Sequence, residues 1–465
     1  MGVTDLSFLY IFLPAVILFY FVFKPVPLKN LTLLFFSLAF YAWGDFAWLS
    51  LLVVIAVLDY FSGVILGKQF NEKLRSFFFY SSVILRVGML FGIKYIIEDK
   101  SVVSDDFLLW AHIPLGLSFY MFKSISYLSE IYLEQIPPSR KFLDYLLYIS
   151  FFPTVIAGPI VRFSEMEDAI KLRRIEATGL SEGVIRISKG LIKKIVIADS
   201  LEPLVKQFLT LDSGTSWLSA LFGLLIFSLQ IYYDFSGYTD IALGTARIFG
   251  FSLPENFNYP YFSKSVSEFW RRWHITLGSF FRDFVFIPLT MMGTKFNIVI
   301  SLFVVWALTG LWHGFSLNFL VWGLYFGIFI IAEIYLLKKL LEKLPGFLQH
   351  IYLLLVVFIG WSFFYFKNFD DLLLFYQIIF SLQEGSVFTN ISFEQAVSRF
   401  APLIAVALLL AFPVKSAFMN RFDKWSEKYP LIDYSLRIVL SLAALFITTA
   451  LLLDRNYNAF LYGGF

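Results

Sequence analysis

The chain has 465 residues, 59% of them apolar, and a mean hydropathy of +0.75, which is more apolar than a soluble domain. Its net charge of +3 is too small to indicate a nucleic-acid-binding protein, and the lack of cysteine excludes disulfides, thiol catalysis and cysteine-ligated metals. Apolar runs long enough to cross a bilayer recur along the sequence. The composition therefore predicts an all-α integral membrane protein.

About eleven to twelve hydrophobic segments, some of them re-entrant, are predicted within a single polytopic membrane domain, residues 1–465. The first segment, residues 1–23, has neither a basic n-region nor a small-residue cleavage site. It is therefore predicted to be a retained transmembrane helix and not a signal peptide.

Lysine and arginine cluster in a few loops, and such loops stay on the cytoplasmic side of a membrane. An external N-terminus places all of these loops inside, including the longest polar stretch, residues 162–195. Within it, residues 165–178 are predicted to lie on the inner membrane surface. The acidic loop at residues 98–106 then faces outward, and the last span, about Leu431 to Leu453, leaves the C-terminus outside.

A helix break is predicted inside the apolar segment at residues 142–161. The stretch FFPTVIAGP, residues 151–159, contains two prolines and a glycine. Broken backbone at membrane depth is tolerated only where protein or a water-filled cavity satisfies its polar groups. This stretch is the best candidate for a re-entrant segment.

Two carboxylates directly follow the apolar run Leu218 to Ile231, in the stretch YYDFSGYTD. Asp234 and Asp240 need partners there. We expect structural pairing with arginines that are near in sequence, and a role in the chemistry is the alternative. The arginines are Arg247, Arg271 and Arg272.

A helix is predicted from Ser265 to about Asp283. Glu268 stands three residues after Ser265, which is the spacing of a capping box. This helix would carry the stretch FWRRWH and hold His274 near its middle.

Two of the four histidines lie in tryptophan-rich surroundings. His313 stands between the apolar runs Asn297 to Leu308 and Phe319 to Ile331, and His274 ends the stretch FWRRWH. An ionisable imidazole at membrane depth is costly and by default marks a functional site, although a packed, hydrogen-bonded histidine is the alternative. The other two are predicted to be ordinary interface residues: His112 and His350.

Six stretches, in this order, carry a family resemblance: FYAWGD (40–45), IPLGLSFYMFKSISYLSEIY (113–132), FFPTVIAGPIVRF (151–163), YYDFSGYTDIALG (232–244), ENFNYPYFSKSVSEFWRRWHITLGSFFRDFVFIPL (255–289) and LTGLWHGFSLNFLVWG (308–323). With them the chain resembles a membrane-bound O-acyltransferase of the bacterial alginate O-acetyltransferase type. The resemblance implies a ring of tilted helices around a central funnel, a catalytic core at about 113–335 and further helices at 336–465.

The resemblance implies that His313 is the catalytic residue and His274 the second important histidine. A neutral imidazole is a suitable base for the proton of an attacking hydroxyl, and an indole N–H or a second imidazole can donate to the developing oxyanion. His274, Trp273 and Trp312 are the candidates for that donor. The remaining supporting candidates are Asp234, Asp240 and Asn318.

The implied function is transfer of an acyl group, expected to be acetyl, from a cytoplasmic donor across a bacterial cell membrane toward hydroxyls of an exported or cell-wall polysaccharide. The donor is expected to be acetyl-CoA, with no tightly bound cofactor and no metal, and an extracytoplasmic acyltransferase is the expected partner. Because coenzyme A is anionic, Arg271 and Arg272 are predicted to bind the donor. D-alanyl transfer to teichoic acid is the alternative activity.

A transporter or flippase, and a scaffold without chemistry, are the alternatives to an enzyme. Three charged residues in apolar segments are candidates to line a transport pathway, and they are Arg86, Lys123 and Glu130. Lys123 and Glu130 stand seven residues apart on one helix face, and the simpler expectation is that they pair with each other.

The last candidate is Tyr462, in the C-terminal stretch NYNAFLYGGF. A tyrosine hydroxyl on the outer side is a candidate acyl relay, because a phenol leaves an ester more easily than a sugar alkoxide. An aromatic belt at the headgroup level is the alternative reading of this stretch.

Overall fold

A computed structural model describes residues 2–68, 70–98, 113–173, 177–211, 215–291, 297–381, 391–413, 425 and 427–454. Its regular elements are helices throughout these residues, and the one β feature is an isolated bridge. The α-helices, in chain order, are α1 Leu13–Val22, α2 Val26–Leu66, α3 Glu72–Glu98, α4 Leu117–Tyr132, α5 Phe142–Ser150, α6 Phe152–Val155, α7 Phe163–Lys171, α8 Ala177–Leu191, α9 Asp199–Leu209, α10 Trp217–Ile248, α11 Val266–Arg272, α12 Ile275–Phe281, α13 Ile287–Met291, α14 Asn297–His313, α15 Leu317–Ala332, α16 Lys338–Leu341, α17 Gly346–Tyr365, α18 Phe369–Ser381, α19 Ile391–Ala411 and α20 Pro430–Asp454.

Six helices of the described residues are long and apolar enough to cross a bilayer: Val26–Leu66, Glu72–Ile97, Trp217–Ile248, Leu317–Leu341, Gly346–Tyr365 and Pro430–Asp454. Three shorter apolar helices accompany them, at Phe8–Val22, Ile298–His313 and Val397–Ala411. The predicted all-α membrane class is confirmed, and so is the last span, which α20 forms. The ring and its funnel remain expectations.

The predicted break in the segment 142–161 is confirmed. Helix α5 ends at Ser150, α6 has only four residues, and residues 156–162 are not helical. The physical cause is Pro153, which removes a backbone donor, together with Gly158, which adopts a φ of +120° that suits glycine. A second discontinuity lies in α2, where Asp45 leaves helical geometry and the helix kinks.

Cα proximity divides the chain into two compact units. Among the described residues, the first comprises those up to residue 190 together with 238–255 and 452–454, and the second comprises those within 191–237 and 256–451. Helix α10 contributes residues to both.

Charged side chains inside the first unit are held by specific partners. Arg86 pairs with Asp59 at 2.9 Å, and Asp59 also accepts hydrogen bonds from Ser124 and Tyr145 at 2.6 and 2.7 Å. A buried ion pair is stable only when hydrogen bonds satisfy its remaining polar atoms, as they do here. This network therefore has a structural role in holding the helices together.

The predicted pair of Lys123 and Glu130 is wrong. Lys123 donates to the carbonyl oxygen of Tyr148 at 2.9 Å and to the hydroxyl of Thr154 at 3.0 Å, whereas Glu130 accepts a hydrogen bond from Ser164. Seven residues of helix correspond to about 10 Å along its axis, which is too far for the two side chains to meet without distortion.

Helices α14, which ends at His313, and α15, which follows it, form a helical hairpin in the second unit. Helices α14 and α15 approach closely because glycines face the opposite backbone. A Cβ atom at Gly323 would overlap the carbonyl oxygen of Trp306, and one at Gly310 would overlap that of Phe319. The position of His313, the last residue of α14, therefore depends on this close contact.

Candidate active site

The helix predicted from Ser265 to Asp283 is wrong in one respect, because it breaks at His274. Helix α11 ends at Arg272 and α12 begins at Ile275, and His274 between them has a φ of +46°. A positive φ is uncommon outside glycine and costs of the order of 1–3 kcal/mol, and it persists only where the surroundings impose it. Such an outlier motivates a functional interpretation of the residue.

A strand-like segment beside the break imposes this conformation. Phe257 forms an antiparallel bridge with Trp273. On either side of the bridge, the N–H of Asn258 donates to the carbonyl of Arg272, and the N–H of Ile275 donates to the carbonyl of Asn256, each at 3.0 Å. The aromatic loop before α11 thus fixes the backbone of His274.

The side chain of Asn256 is fully buried beneath this break and makes three contacts through one atom. Its Oδ1 lies 3.1 Å from Nδ1 of His274, and it accepts from the N–H and the hydroxyl of Thr276 at 3.2 and 3.0 Å. Asn256 was not among the predicted site residues, because nothing local marks an asparagine 18 residues before a histidine as its partner.

Only one of the two hydrogen bonds of the predicted capping box forms at the start of α11. The hydroxyl of Ser265 accepts from the N–H of Glu268 at 3.1 Å, but the carboxylate of Glu268 accepts from the N–H of Lys264 instead of returning to Ser265. Glu333, which sequence reasoning missed, accepts from the N–H groups of Val266 and Ser267 at 2.6 and 2.9 Å. This buried carboxylate anchors the helix that leads to His274.

His313 is buried among aromatic rings. Its imidazole lies edge-on to Trp322 and Phe364, with ring centroids 5.0 and 4.9 Å apart, and 4.4 Å from the ring of Trp312. The ring of Trp312 lies 6.3 Å from that of His274. The two predicted histidines, 39 positions apart in sequence, therefore share Trp312 as a common neighbour.

A cavity of about 420 Å³ adjoins His274 and is walled mainly by aromatic and aliphatic side chains. Its volume lies within the usual range of small-molecule sites, roughly 300–1,000 Å³. His274 and Trp273 line it, and His313 does not. The polar and charged lining comes from five further residues: Ser267, Arg271, Ser279, Arg282 and Thr309.

Two indole groups on this cavity are buried donors. The N–H groups of Trp270 and Trp273 have no hydrogen-bond acceptor among the described residues. Trp273 was a predicted donor and Trp270 was not. A buried N–H without an acceptor is costly, and such donors are suited to a carbonyl oxygen that carries developing negative charge.

Burial lowers the pKa of His274 from its ordinary value of 6.5 to about 3. Its imidazole is therefore neutral at physiological pH, because removal from water disfavours the charged form.

The two predicted donor-binding arginines differ. Arg271 is exposed and lines the cavity, and neither an ion pair nor a hydrogen bond to it is found within the described residues. Arg272 does not line the cavity and pairs with Glu268 at 2.7 Å. The structure therefore brings one of the two cations to His274.

Comparison with known proteins places these residues in a family. Residues 33–375 match the model of MBOAT, the membrane-bound O-acyltransferase family. The chain belongs to this family. It is therefore a multi-pass membrane acyltransferase.

Bacterial relatives of the acyltransferase carry more specific names. This chain is 33% identical to a "Probable alginate O-acetylase" of Azotobacter vinelandii over 425 residues, and the alignment covers 88% of this chain and 83% of that protein. It is 32% identical to a peptidoglycan O-acetyltransferase of Helicobacter pylori over 408 residues, covering 79% and 77%. A teichoic acid D-alanyltransferase of Bacillus subtilis is 32% identical over 226 residues, covering 45% and 56%.

Asp234 and Asp240 of the acyltransferase are paired, but not with the arginines named from the sequence. Asp234 lies 2.6 Å from Lys194, and Asp240 lies 2.6 Å from Arg186. Arg247 instead pairs with Glu182, at 2.9 Å. The partners come from the basic stretch before α10, whose distance in sequence from the carboxylates concealed the pairing.

Asn318 of the acyltransferase is buried and donates to the carbonyl of Phe366 at 2.5 Å. Because Phe366 follows the last residue of α17, Asn318 supports a helix end. His350 is also engaged, with Nδ1 2.8 Å from the carbonyl of Ser263. His112 and Tyr462 lie outside the described residues, so their predicted roles stay predictions.

Proposed function

We propose that the acyltransferase moves an acetyl group from cytoplasmic acetyl-CoA toward hydroxyls of a polysaccharide outside the cell membrane. Two kinds of relative support an acetyl group and a polysaccharide acceptor. The alignments with the alginate and peptidoglycan enzymes cover 88% and 79% of the chain, whereas the alignment with the D-alanyltransferase covers 45%.

The cavity beside His274 is the observation that carries the proposal. It combines an apolar wall, two buried indole donors and two exposed arginines, of which Arg282 pairs with Asp283. A thioester on a long, flexible arm requires these three features, because the acyl group is apolar, its carbonyl oxygen accepts hydrogen bonds, and the coenzyme's phosphates are anionic. We assign Trp270 and Trp273 to the thioester carbonyl and Arg271 to the phosphates.

We assign different roles to the two histidines, proton transfer to His313 and donor binding to His274. The attacking hydroxyl forms a bond to the thioester carbon while its proton passes to the imidazole of His313, in the role that the family resemblance implies. The carbon–sulfur bond then breaks, and the coenzyme A thiolate takes up the proton. His274, on the cavity wall, holds the donor. The indole donors stabilise the oxyanion that forms between these steps.

Delivery to the outside requires an acceptor beyond the membrane. An extracytoplasmic acyltransferase that acts on the polymer is the partner we propose. The Tyr462 relay is a further proposal, and it predicts that Tyr462→Phe stops acylation of the external polymer while transfer from the donor to water or to small hydroxyls continues.

The test is a labelling experiment in vesicles that contain the acyltransferase and its envelope polysaccharide. Acetyl-CoA with a labelled acetyl group is supplied on the side of the basic loops, and the polymer is then analysed by mass spectrometry. We expect ester-linked acetyl that mild alkali releases. A parallel assay supplies labelled D-alanine in place of labelled acetyl-CoA. Incorporation of D-alanine but not of acetate, or an unmodified polymer alongside intact acetyl-CoA, would overturn the proposal.

A further inference from the structure

The amide of Asn256 decides which nitrogen of His274 carries a proton. Its Oδ1 accepts from the backbone N–H of Thr276, and the NH₂ nitrogen of an amide donates but does not accept, so the atom that faces this N–H is the amide oxygen. The same oxygen lies 3.1 Å from Nδ1 of His274. Since both atoms cannot be acceptors, Nδ1 must be the donor.

The consequence concerns the opposite nitrogen. A neutral imidazole has one N–H, so a proton on Nδ1 leaves Nε2 with a lone pair. His274 was a candidate donor to the oxyanion, and in this tautomer the neutral ring has no N–H at Nε2 to donate. The indoles of Trp270 and Trp273 remain as donors on the same cavity.

We propose that Asn256 is a positioning residue that holds His274 in the Nδ1–H tautomer, so that Nε2 accepts a hydrogen bond from an amide N–H of the acyl donor's pantetheine arm. This inference rests on the proposed function for its substrate. The carbonyl of that thioester accepts from the indoles, and its arm donates to His274. The wall of the cavity thus offers both kinds of hydrogen-bonding group to one ligand.

The backbone supports the same assignment. His274 adopts a φ of +46°, and the segment that holds it there is residues 256–258, whose first residue also binds the ring. One short segment therefore fixes both the strained backbone and the tautomer. Asn256 is buried completely and His274 almost completely, so water does not compete for Nδ1.

The first experiment reads the tautomer without using activity. The acyltransferase is labelled with ¹⁵N-histidine in lipid nanodiscs, and each of the four imidazoles is assigned from a single His→Gln variant. We expect His274 in the Nδ1–H form in the wild-type chain and a changed or mixed form in Asn256→Leu. His350, whose Nδ1 faces a carbonyl, serves as an unchanged internal reference. An Nε2–H form of His274 in the wild-type chain would overturn the proposal, whatever the enzyme transfers.

The second experiment separates donor binding from turnover. We expect Asn256→Leu to raise KM for acetyl-CoA by about 5–15-fold with a smaller change in kcat, as for the loss of one hydrogen bond. Thr276→Val is the matched control, because it removes another contact of the same oxygen and leaves the ring contact in place. Unchanged KM in an Asn256→Leu enzyme whose His274 tautomer has changed would overturn the role of Asn256.

Asn256→Asp keeps the acceptor oxygen and serves where the leucine variant does not fold. A carboxylate beside Nδ1 favours the imidazolium, which has no lone pair to offer. We expect KM in this variant to rise as the pH falls from 8 to 6, while the wild-type KM stays constant over that range. Asn258→Asp adds the same charge at an exposed position two residues away and should behave as wild type. A pH-independent KM in Asn256→Asp would count against the proposal.

Discussion

Arg271 and Arg272 are neighbours in the chain with different surroundings, since Arg271 lines the cavity beside His274 and Arg272 pairs with Glu268 at 2.7 Å. Their chemistry is the same and their position in sequence differs by one residue. The difference is therefore useful as an internal control for electrostatic attraction of the donor.

Arg271→Ala should raise KM for acetyl-CoA by about 3–10-fold with little change in kcat, because it removes a cation that faces the donor before the reaction and in the transition state alike. The effect should shrink as ionic strength rises, because salt screens exposed charges. Steady-state kinetics at two salt concentrations measure it. Arg272→Ala should leave KM near the wild-type value, and an equal effect of both variants would contradict the assignment.

Lys194→Met should destabilise the acyltransferase strongly. Lys194 lies 2.6 Å from Asp234 and 2.7 Å from Asp199, so its loss removes the ammonium group from a buried and a partly buried carboxylate. Breaking such a pair costs about 3–5 kcal/mol. Thermal unfolding in detergent measures the loss, and Lys206→Met, which removes the exposed pair with Glu202, is the control with an expected effect below about 1 kcal/mol. Equal stability of both variants would refute the buried network.

Gly323→Ala should separate α14 from α15, because the added methyl group would overlap the carbonyl oxygen of Trp306. We expect a loss of about 1–3 kcal/mol in the free energy of unfolding and a fall in activity, since α14 ends at His313. Gly92→Ala, where no atom lies within 4 Å of the new methyl group, is the control. A wild-type melting temperature in Gly323→Ala would show that the two helices do not pack as closely as described.

The stability of the acyltransferase should depend on pH through His274. Burial lowers its pKa to about 3 from an unfolded value of 6.5, so below pH 6.5 the unfolded chain binds a proton that the folded chain excludes. The part of the folding stability that depends on a neutral His274 is therefore fully present above pH 6.5 and is lost as the pH falls toward 3. Melting temperatures between pH 7.5 and 5 should therefore fall less steeply in His274→Gln than in the wild type or in His350→Gln. Parallel slopes in all three would contradict the buried, neutral state of His274.

The helical membrane class was predictable because it rests on local signals. Apolar runs predict spans, and the Pro153 to Gly158 stretch predicts the break after α5. The break at His274 carries no such signal, since its sequence WRRWHITL contains neither proline nor glycine. It results from pairing with residues 256–258, a tertiary contact that overrides helix propensity.

The candidate site was predictable in its residue types but only partly in its geometry. The WHG and WRRWH stretches identified both histidines and Arg271. Asn256 and Glu333 were missed because they act over 18 and about 66 positions, and no local pattern encodes such distances. Asp234 and Asp240 were correctly expected to be paired. Their partners, Lys194 and Arg186, precede both carboxylates in the chain, whereas the arginines that were considered follow them.

The central claim is that this chain transfers an acetyl group through a site that contains His313 and His274. The most direct measurement is acetyl transfer by the purified acyltransferase in vesicles supplied with labelled acetyl-CoA, comparing wild type, His313→Ala and His274→Ala with His350→Ala as the histidine control. We predict that His313→Ala abolishes transfer, that His274→Ala raises KM for the donor, and that His350→Ala keeps most of the activity, with all four proteins folded in the membrane. Full transfer by a folded His313→Ala enzyme would contradict the account.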